Sequence, residues 1–385
     1  MDLNLYFDPV SLEKPGNFNV GENLFRSNIF IHTQNSNIKN LNFRIAIIGV
    51  PEERNTINKG CAGAPNLVRN KLYQLTKIES SKKIADLGNL KTGHKIEDAY
   101  YALRDVCYHL ISNNILPVII GGSQDLTYGI FLAYKKLKLP ANLVTIDSRL
   151  DIGKSKQIFN SYSYLTKIIF EKNKYLQNYI NIGHQGYFIS KNNFQLLKKL
   201  YFESIRIGQV RQSFQNIEPI IRDSNLVSLD ISSVKQSEAP GHAFPTPNGF
   251  YNEEICQLAR YSGISDKLKS FGIFEINPDF DNNNQTTHLA AQIIWLFIDG
   301  YINRYNENPE LKSNKIKKFI VNLNKFDRDI VFYKSILSNR WWIEIPTIEN
   351  KIEKTKTIAC SYDDYIKACN NEMPDIYLKA FQKLE

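Results

Sequence analysis

Short, continuous runs of branched apolar residues, alternating with longer helical patterns, constrain this chain more than any other feature. "RIAIIGV" (Arg44 to Val50), "KIADLG" and "LPVIIGG" (from Leu116) are apolar at nearly every position, as are "NLVTIDSRLD", "QNYINIGHQGY", "SIRIG", "SNLVSLDISSV" and "KSFGIFEINP" over part of their length. Between them, segments such as "IEDAYYALRDVCYHLISNN", "LTYGIFLAYKKL", "NEEICQLARYSG" and "HLAAQIIWLFIDGYINRY" space their apolar residues at helical intervals. A strand that is apolar on both faces must be covered on both. Repeated strand-then-helix therefore predicts an α/β fold of three layers, α/β/α, around a mostly parallel sheet. In such sheets ligands bind beyond the carboxyl ends of the strands.

The chain divides by character into three parts: an irregular leader over residues 1–43 packed on the core, the α/β domain over 44–306, and a C-terminal extension over 307–385. The extension ends in one or two short amphipathic helices, and Trp341 and Trp342 are expected to anchor it on the main domain. The net charge of +9 comes from Lys residues scattered among Asn, Ile and Tyr, not gathered into a basic stripe, so no nucleic-acid partner is expected. Five cysteines without CxxC or Cys/His spacing predict neither a disulfide framework nor a zinc site. The first residues show neither a basic nor an apolar targeting region, and the apolar stretch from His288 to Ile302 is too short to span a bilayer. The expectation is a cytoplasmic protein with no membrane partner.

Chemistry concentrates where strands end. "IIGGSQD" closes a strand on Gly121-Gly122, and Asp125 falls where a helix N-cap belongs. "TIDSRLD" places Asp147 and Asp151 four residues apart at a second strand end, "SLDISS" places Asp230 at a third, and "GIFEINP" places Glu275 at a fourth. One such acid is commonly a turn residue. Several on neighbouring parallel strands converge on one crevice, which is how hard metal ions are held.

These stretches resemble the ureohydrolases: arginase, agmatinase and especially formimidoylglutamase. The family's G-G-D-H-S loop, D-A-H-x-D and S-x-D-x-D strand ends and late E-x-N-P read here as G-G-S-Q-D (Gly121 to Asp125), D-S-R-L-D (Asp147 to Asp151), S-L-D-I-S (Ser228 to Ser232) and E-I-N-P (Glu275 to Pro278). "GAP" with "VR" (Gly63 to Arg69) and the "PG…PTPNGF" loop (Pro240 to Phe250) agree as well, so the similarity runs from Arg44 to Tyr305. The tail is similar to an extension in formimidoylglutamase-like bacterial proteins. The resemblance implies an arginase-like fold, and assembly as a homo-oligomer. It also implies a pair of manganese ions whose bridging hydroxide attacks an amidine or guanidine carbon.

This chain departs from that pattern at the ligands. The first family His corresponds to Gln124, the second to Arg149 and the last Asp to Ser232; Asp147, Asp151 and Asp230 remain. A further family His that assists the chemistry has no counterpart between Asp151 and His184. Gln124, Asp147, Asp151 and Asp230 could hold one divalent ion, manganese by the resemblance, through oxygen. The second ion's positions hold a guanidinium, which has no lone pair to offer, and a serine. Arg149 is expected to pair with Asp147 or Asp230 as a resident counter-ion. Three carboxylates and Arg149 sum to −3 + 1 = −2, which one divalent ion balances or a shared proton relieves.

The favoured reading is therefore a ureohydrolase-fold protein without the dinuclear centre or hydrolysis, with a binding or scaffolding role toward a protein partner or other copies of itself. The alternative is a C–N hydrolase of linear amidines that uses one metal or none. Glu275 would then hold the substrate's cationic nitrogen end and His242 would be the candidate base. Each has a plainer reading: Glu275 as a strand-terminating turn, His242 as an exposed loop residue, and Asp147 and Asp230 as partners of Arg149. Asp125 is expected to cap its helix, keeping the Gly-Gly loop as architecture. A nucleotide site at that loop would need GxGxxG or GxxxxGK[ST], and neither occurs.

Overall fold

The computed structural model describes residues 1–11, 22–38, 42–80, 83–153, 159–171, 175–307, 309, 314–326, 328–349 and 352–382. Among the described residues, ten strands build the central sheet: β1 (Phe7–Asp8), β2 (Ile29–Ile31), β3 (Ile45–Val50), β4 (Ile84–Leu90), β5 (Leu116–Gly121), β6 (Ala141–Ile146), β7 (Leu176–His184), β8 (Glu203–Arg206), β9 (Leu226–Asp230) and β10 (Ser270–Phe274). Their order is β1-β4-β3-β5-β10-β9-β6-β7-β8, with β2 also on β4; every pairing is parallel except that of β1.

The period of two within a strand sorts side chains to two cores. Ile45 and Ile47 face the helices Ala64–Leu72, Asn252–Gly263 and Gln285–Ile302; Ala46 and Ile48 face Ile96–Ser112 and Leu126–Leu137. Strands with no polar face must be covered twice, and this sheet is. The leader differs from the expectation of an irregular segment, because β1 and β2 extend the sheet beyond β4. Its residues 12–21 and 39–41 lie outside the described ones.

The extension forms a second sheet of four antiparallel strands in chain order, β11 (Ile316–Leu323), β12 (Arg328–Ser335), β13 (Trp341–Glu349) and β14 (Ile352–Cys360). The two expected helices, Tyr362–Cys369 and Asp375–Gln382, pack on it. Both tryptophans are buried, with different partners. Trp341 stacks on Tyr365 inside the extension, and Trp342 lies under the Arg222 guanidinium of the main domain, 4.5 Å from ring centre to Cζ. Arg222 Nη2 donates to the Trp341 carbonyl (3.0 Å) and Nε to Glu218 (2.9 Å), which also meets Arg340 (3.2 Å). Arg222 closes the helix Ile217–Arg222 just before β9 begins, and Lys379 reaches Glu203 at the start of β8. The extension thus sits at the amino ends of the strands, away from the crevice where the acids gather. Among the described residues, no helix is long and apolar enough to cross a membrane.

Candidate functional site

The four strands that carry the site are consecutive in the sheet, β5-β10-β9-β6, so their carboxyl ends bring Gln124, Glu275, Asp230 and the pair Asp147 and Asp151 side by side. The Gly-Gly turn that leads into Gln124 is required by close approach. A Cβ on Gly122 would lie 2.0 Å from the Glu52 carbonyl oxygen, and one on Gly121 would lie 2.3 Å from the Phe274 ring. Gly122 N donates to Val50 O (2.9 Å) and its carbonyl accepts from Glu275 N (2.7 Å), so the turn ties β5 to both neighbours.

Gln124 ends among the three aspartates. With its amide nitrogen turned inward it lies 2.9 Å from Asp151 Oδ2, 3.1 Å from Asp147 Oδ2 and 3.1 Å from Asp230 Oδ2. The amide oxygen then faces Ser228 Oγ, which shares a hydrogen bond with Thr127 Oγ1 (2.8 Å). With the oxygen inward, four acceptors would face one another at about the same spacing, and only a cation or protons could hold them. The remaining oxygens of two acids are bound to backbone: Asp147 Oδ1 accepts from Arg149 N (2.8 Å) and Asp230 Oδ1 from Ser232 N (2.6 Å). Among the described residues, His, Cys, Asp and Glu side chains by themselves form no group of three or more that holds a metal ion, so a set at this crevice has to include Gln124.

Burial raises all three carboxyls above the ordinary carboxylate range. For Asp151 and Asp230 the Asp147 charge pushes further in the same direction. Glu275, only 2% exposed, sits in the left-handed region (φ 63°) and is bound all round. Its Oε1 accepts from Gln124 N (2.9 Å), its Oε2 from Thr56 Oγ1 (3.1 Å) and Asn58 Nδ2 (3.0 Å), and its carbonyl again from Asn58 Nδ2 (2.8 Å). Burial outweighs these bonds and lifts its carboxyl to about 7. Between pH 4.5 and 7 the folded, metal-free chain holds a proton here that the unfolded chain releases, so stability falls as pH rises through that window. Glu275 alone accounts for roughly 3 kcal/mol of that fall. Thermal melts of metal-free protein between pH 5 and 8 should show a steep decline, and Glu275→Gln should flatten it. A rising stability would contradict the assignment.

Three local expectations are corrected. Arg149 forms no ion pair with Asp147 or Asp230: its guanidinium lies 3.9 Å over the Phe188 ring and 5.7 Å from the Tyr162 ring centre. The stretch from Asp147 to Asp151 carries its side chain toward the mouth, where aromatic faces and solvent receive the charge at lower desolvation cost. Asp125 occupies the N-cap position without capping by its side chain, because its carboxylate accepts from the buried Tyr100 hydroxyl instead. His242 is not exposed: at 3% exposure its Nδ1 accepts from Phe244 N (2.9 Å), and burial lowers the ring's basicity to about 4. His184 is buried too, with Nδ1 2.6 Å from Ser204 Oγ.

The sequence reading did not single out Thr56, Asn58 and Tyr162. Asn58 links Glu275, Asn277 Nδ2 (2.9 Å) and Ala243 N (2.9 Å), lacing the loops after β3, β9 and β10 together. Its signal was available only as an Asn in a loop, which carries little information before the fold is known.

The sheet order and the acids at its central strand ends define an arginase-type α/β protein. The chain belongs to the arginase family, which matches residues 43–299. Its relatives include the formimidoylglutamase of Lysinibacillus sphaericus, 26% identical over 257 residues (63% of this chain, 79% of the relative), and that of Staphylococcus haemolyticus, 24% identical over 257 residues (63% and 81%). Similar folds are the formiminoglutamase of Trypanosoma cruzi crystallised with Mn2+ (TM-score 0.65, 18% identity, 73% of this chain and 99% of that one) and the formimidoylglutamase of Bacillus subtilis (TM-score 0.66, 18% identity, 76% and 97%).

Proposed function

We propose that this chain is an arginase-family protein without the two-manganese centre and without amidine hydrolysis, serving as a binding or scaffolding protein. The observation that carries this is the Gln124 amide within 3.1 Å of Asp147, Asp151 and Asp230, where its two N–H groups can donate to acids that share protons in place of a metal ion. The donor set does not fit two ions. Arg149 offers no lone pair and is turned onto Phe188, and Ser232 stands where a second carboxylate is needed. Without a second ion, the lowered water pKa and the clamp on the attacked carbon are not supplied. His242 does not replace them, being buried, neutral and bonded to backbone.

One observation favours a second reading. If the Gln124 oxygen faces inward, it completes with three aspartates an all-oxygen set suited to one hard divalent ion. Such a protein would bind one ion and keep at most weak hydrolysis. The expected result of assays with formimidoylglutamate, arginine and agmatine, with manganese supplied, is no turnover above buffer with manganese. Turnover on the scale of an ordinary enzyme, about 1 per second or more, would overturn the proposal.

A further inference from the structure

Arg149 supplies a cation that the arginase-type centre has no use for, at the mouth of the crevice. Its backbone is fixed on both sides, N donating to Asp147 Oδ1 (2.8 Å) and O accepting from Asn181 Nδ2 (2.8 Å). The half-buried guanidinium lies 3.9 Å over Phe188, and among the described residues it has no anionic partner within ion-pair distance. A guanidinium stacked on a ring keeps its in-plane N–H fork open, the geometry that receives a planar carboxylate with two parallel hydrogen bonds. The aspartates below do not compete for that fork, since their oxygens are directed at Gln124 and at backbone N–H groups. The Arg149 charge also acts on His242, Tyr162 and Asp147, which places all three near it, though Asp147 makes no ion pair with it.

A second observation concerns the rim. The loops around the mouth carry exposed apolar side chains: Ile57 (59% exposed), Tyr187 (63%), Phe244 (51%) and Phe280 (49%). The loops are fastened to one another. Asn58 Oδ1 accepts from Ala243 N (2.9 Å), Asn277 Nδ2 donates to Lys59 O (2.6 Å), Gln185 Nε2 to Asn248 O (2.8 Å), and Ser161 Oγ to Thr56 Oγ1 (3.1 Å). Exposed apolar groups on loops held this firmly lose little freedom on contact, which is what a binding rim requires. An unpaired fork with apolar groups around it selects a ligand with both features.

We infer that the mouth of the crevice is a binding site for a small free carboxylate bearing a planar apolar body, with Arg149 holding the carboxylate and Phe188 holding Arg149 in place. This does not rest on the loss of hydrolysis, because the fork and the rim stand whether the aspartates hold an ion or not.

The test is isothermal titration of the full chain with benzoate, and with benzamide as the neutral isostere. Wild type should bind benzoate saturably and benzamide at least about tenfold more weakly, since a hydrogen bond to a charged group contributes about that factor or more. Arg149→Met should lower benzoate affinity by about tenfold or more, Arg149→Lys by less, and Phe188→Leu should weaken binding while leaving the charge. Melting temperatures should change little, since the Arg149 side chain makes no ion pair with a described acid and its backbone bond to Asp147 survives the substitution. Absence of benzoate binding, equal affinity in Arg149→Met, or equal affinity for benzamide would each overturn the inference. Metal content measured on the same samples reports separately on the proposed function.

Discussion

Replacing Gln124 and Arg149 by His and Ser232 by Asp together should raise manganese binding from at most one ion to about two per chain. Each substitution removes one stated obstacle. Gln124→His withdraws the amide from among the three aspartates and supplies an imidazole lone pair. Arg149→His removes a guanidinium that cannot ligate and that repels a cation; because it pairs with no described acid, little is lost with it. Ser232→Asp supplies the missing carboxylate. Charge then balances: four carboxylates at −4 against two divalent ions at +4. Manganese at 100 times its dissociation constant should stabilise the variant by about 2.7 kcal/mol per independent site. Hydrolysis should still lag, because no histidine lies between Asp151 and His184 to assist it. A variant that binds no more manganese than the natural chain would show that the crevice no longer has the shape of the family's centre.

Asp86→Ala should cost about 3–5 kcal/mol in urea or thermal unfolding, the largest loss expected of any single substitution here, because it leaves a buried guanidinium without its counter-charge. Asp86 and Arg69 are 0% and 1% exposed and meet at 2.8 Å. Tyr73 donates its hydroxyl to the same oxygen (2.8 Å) and Gly88 N to the other (3.0 Å). Arg69 continues to Gly88 O (2.7 Å) and Asn89 Oδ1 (2.5 Å), tying the helix Ala64–Leu72 to β4. Removing both charges with Asp86→Ala and Arg69→Met should recover much of the loss, since a buried pair is costly to break and cheap to replace. Equal destabilisation by the single and double variants would mean that packing, not charge, holds this junction. The pair also explains the "VR" of the sequence, whose Arg is structural.

The central sheet was legible because a strand buried on both faces has few other readings: β3, β5, β6, β9 and β10 all fall on the apolar runs quoted from the sequence. The acids were legible because they stand immediately after those runs. The extension was harder. β11 alternates Phe319, Val321 and Leu323 toward its core, but Lys317, Lys318 and exposed Ile320 interrupt the pattern, so it reads as a charged tail. Helices of six residues such as Tyr164–Ile169 and Ile217–Arg222 are too short to show a period. Side-chain direction was least accessible. Nothing in the order Asp147, Ser148, Arg149 says whether Arg149 turns down onto the acids or out onto Phe188. Likewise, Asp125 could not be known to prefer Tyr100, 25 residues away, over its own helix.

The extension bears on the scaffold reading through its place. Its tryptophans are buried at the amino ends of the strands, the opposite end from Arg149.

The most direct measurement is metal content by elemental analysis of protein purified with manganese supplied, beside a variant with Asp147 and Asp230 changed to Asn. The expected result is at most one ion per chain, and where one is found, its loss in the variant. About two ions per chain in the natural protein would contradict it and return this chain to the metal-dependent hydrolases.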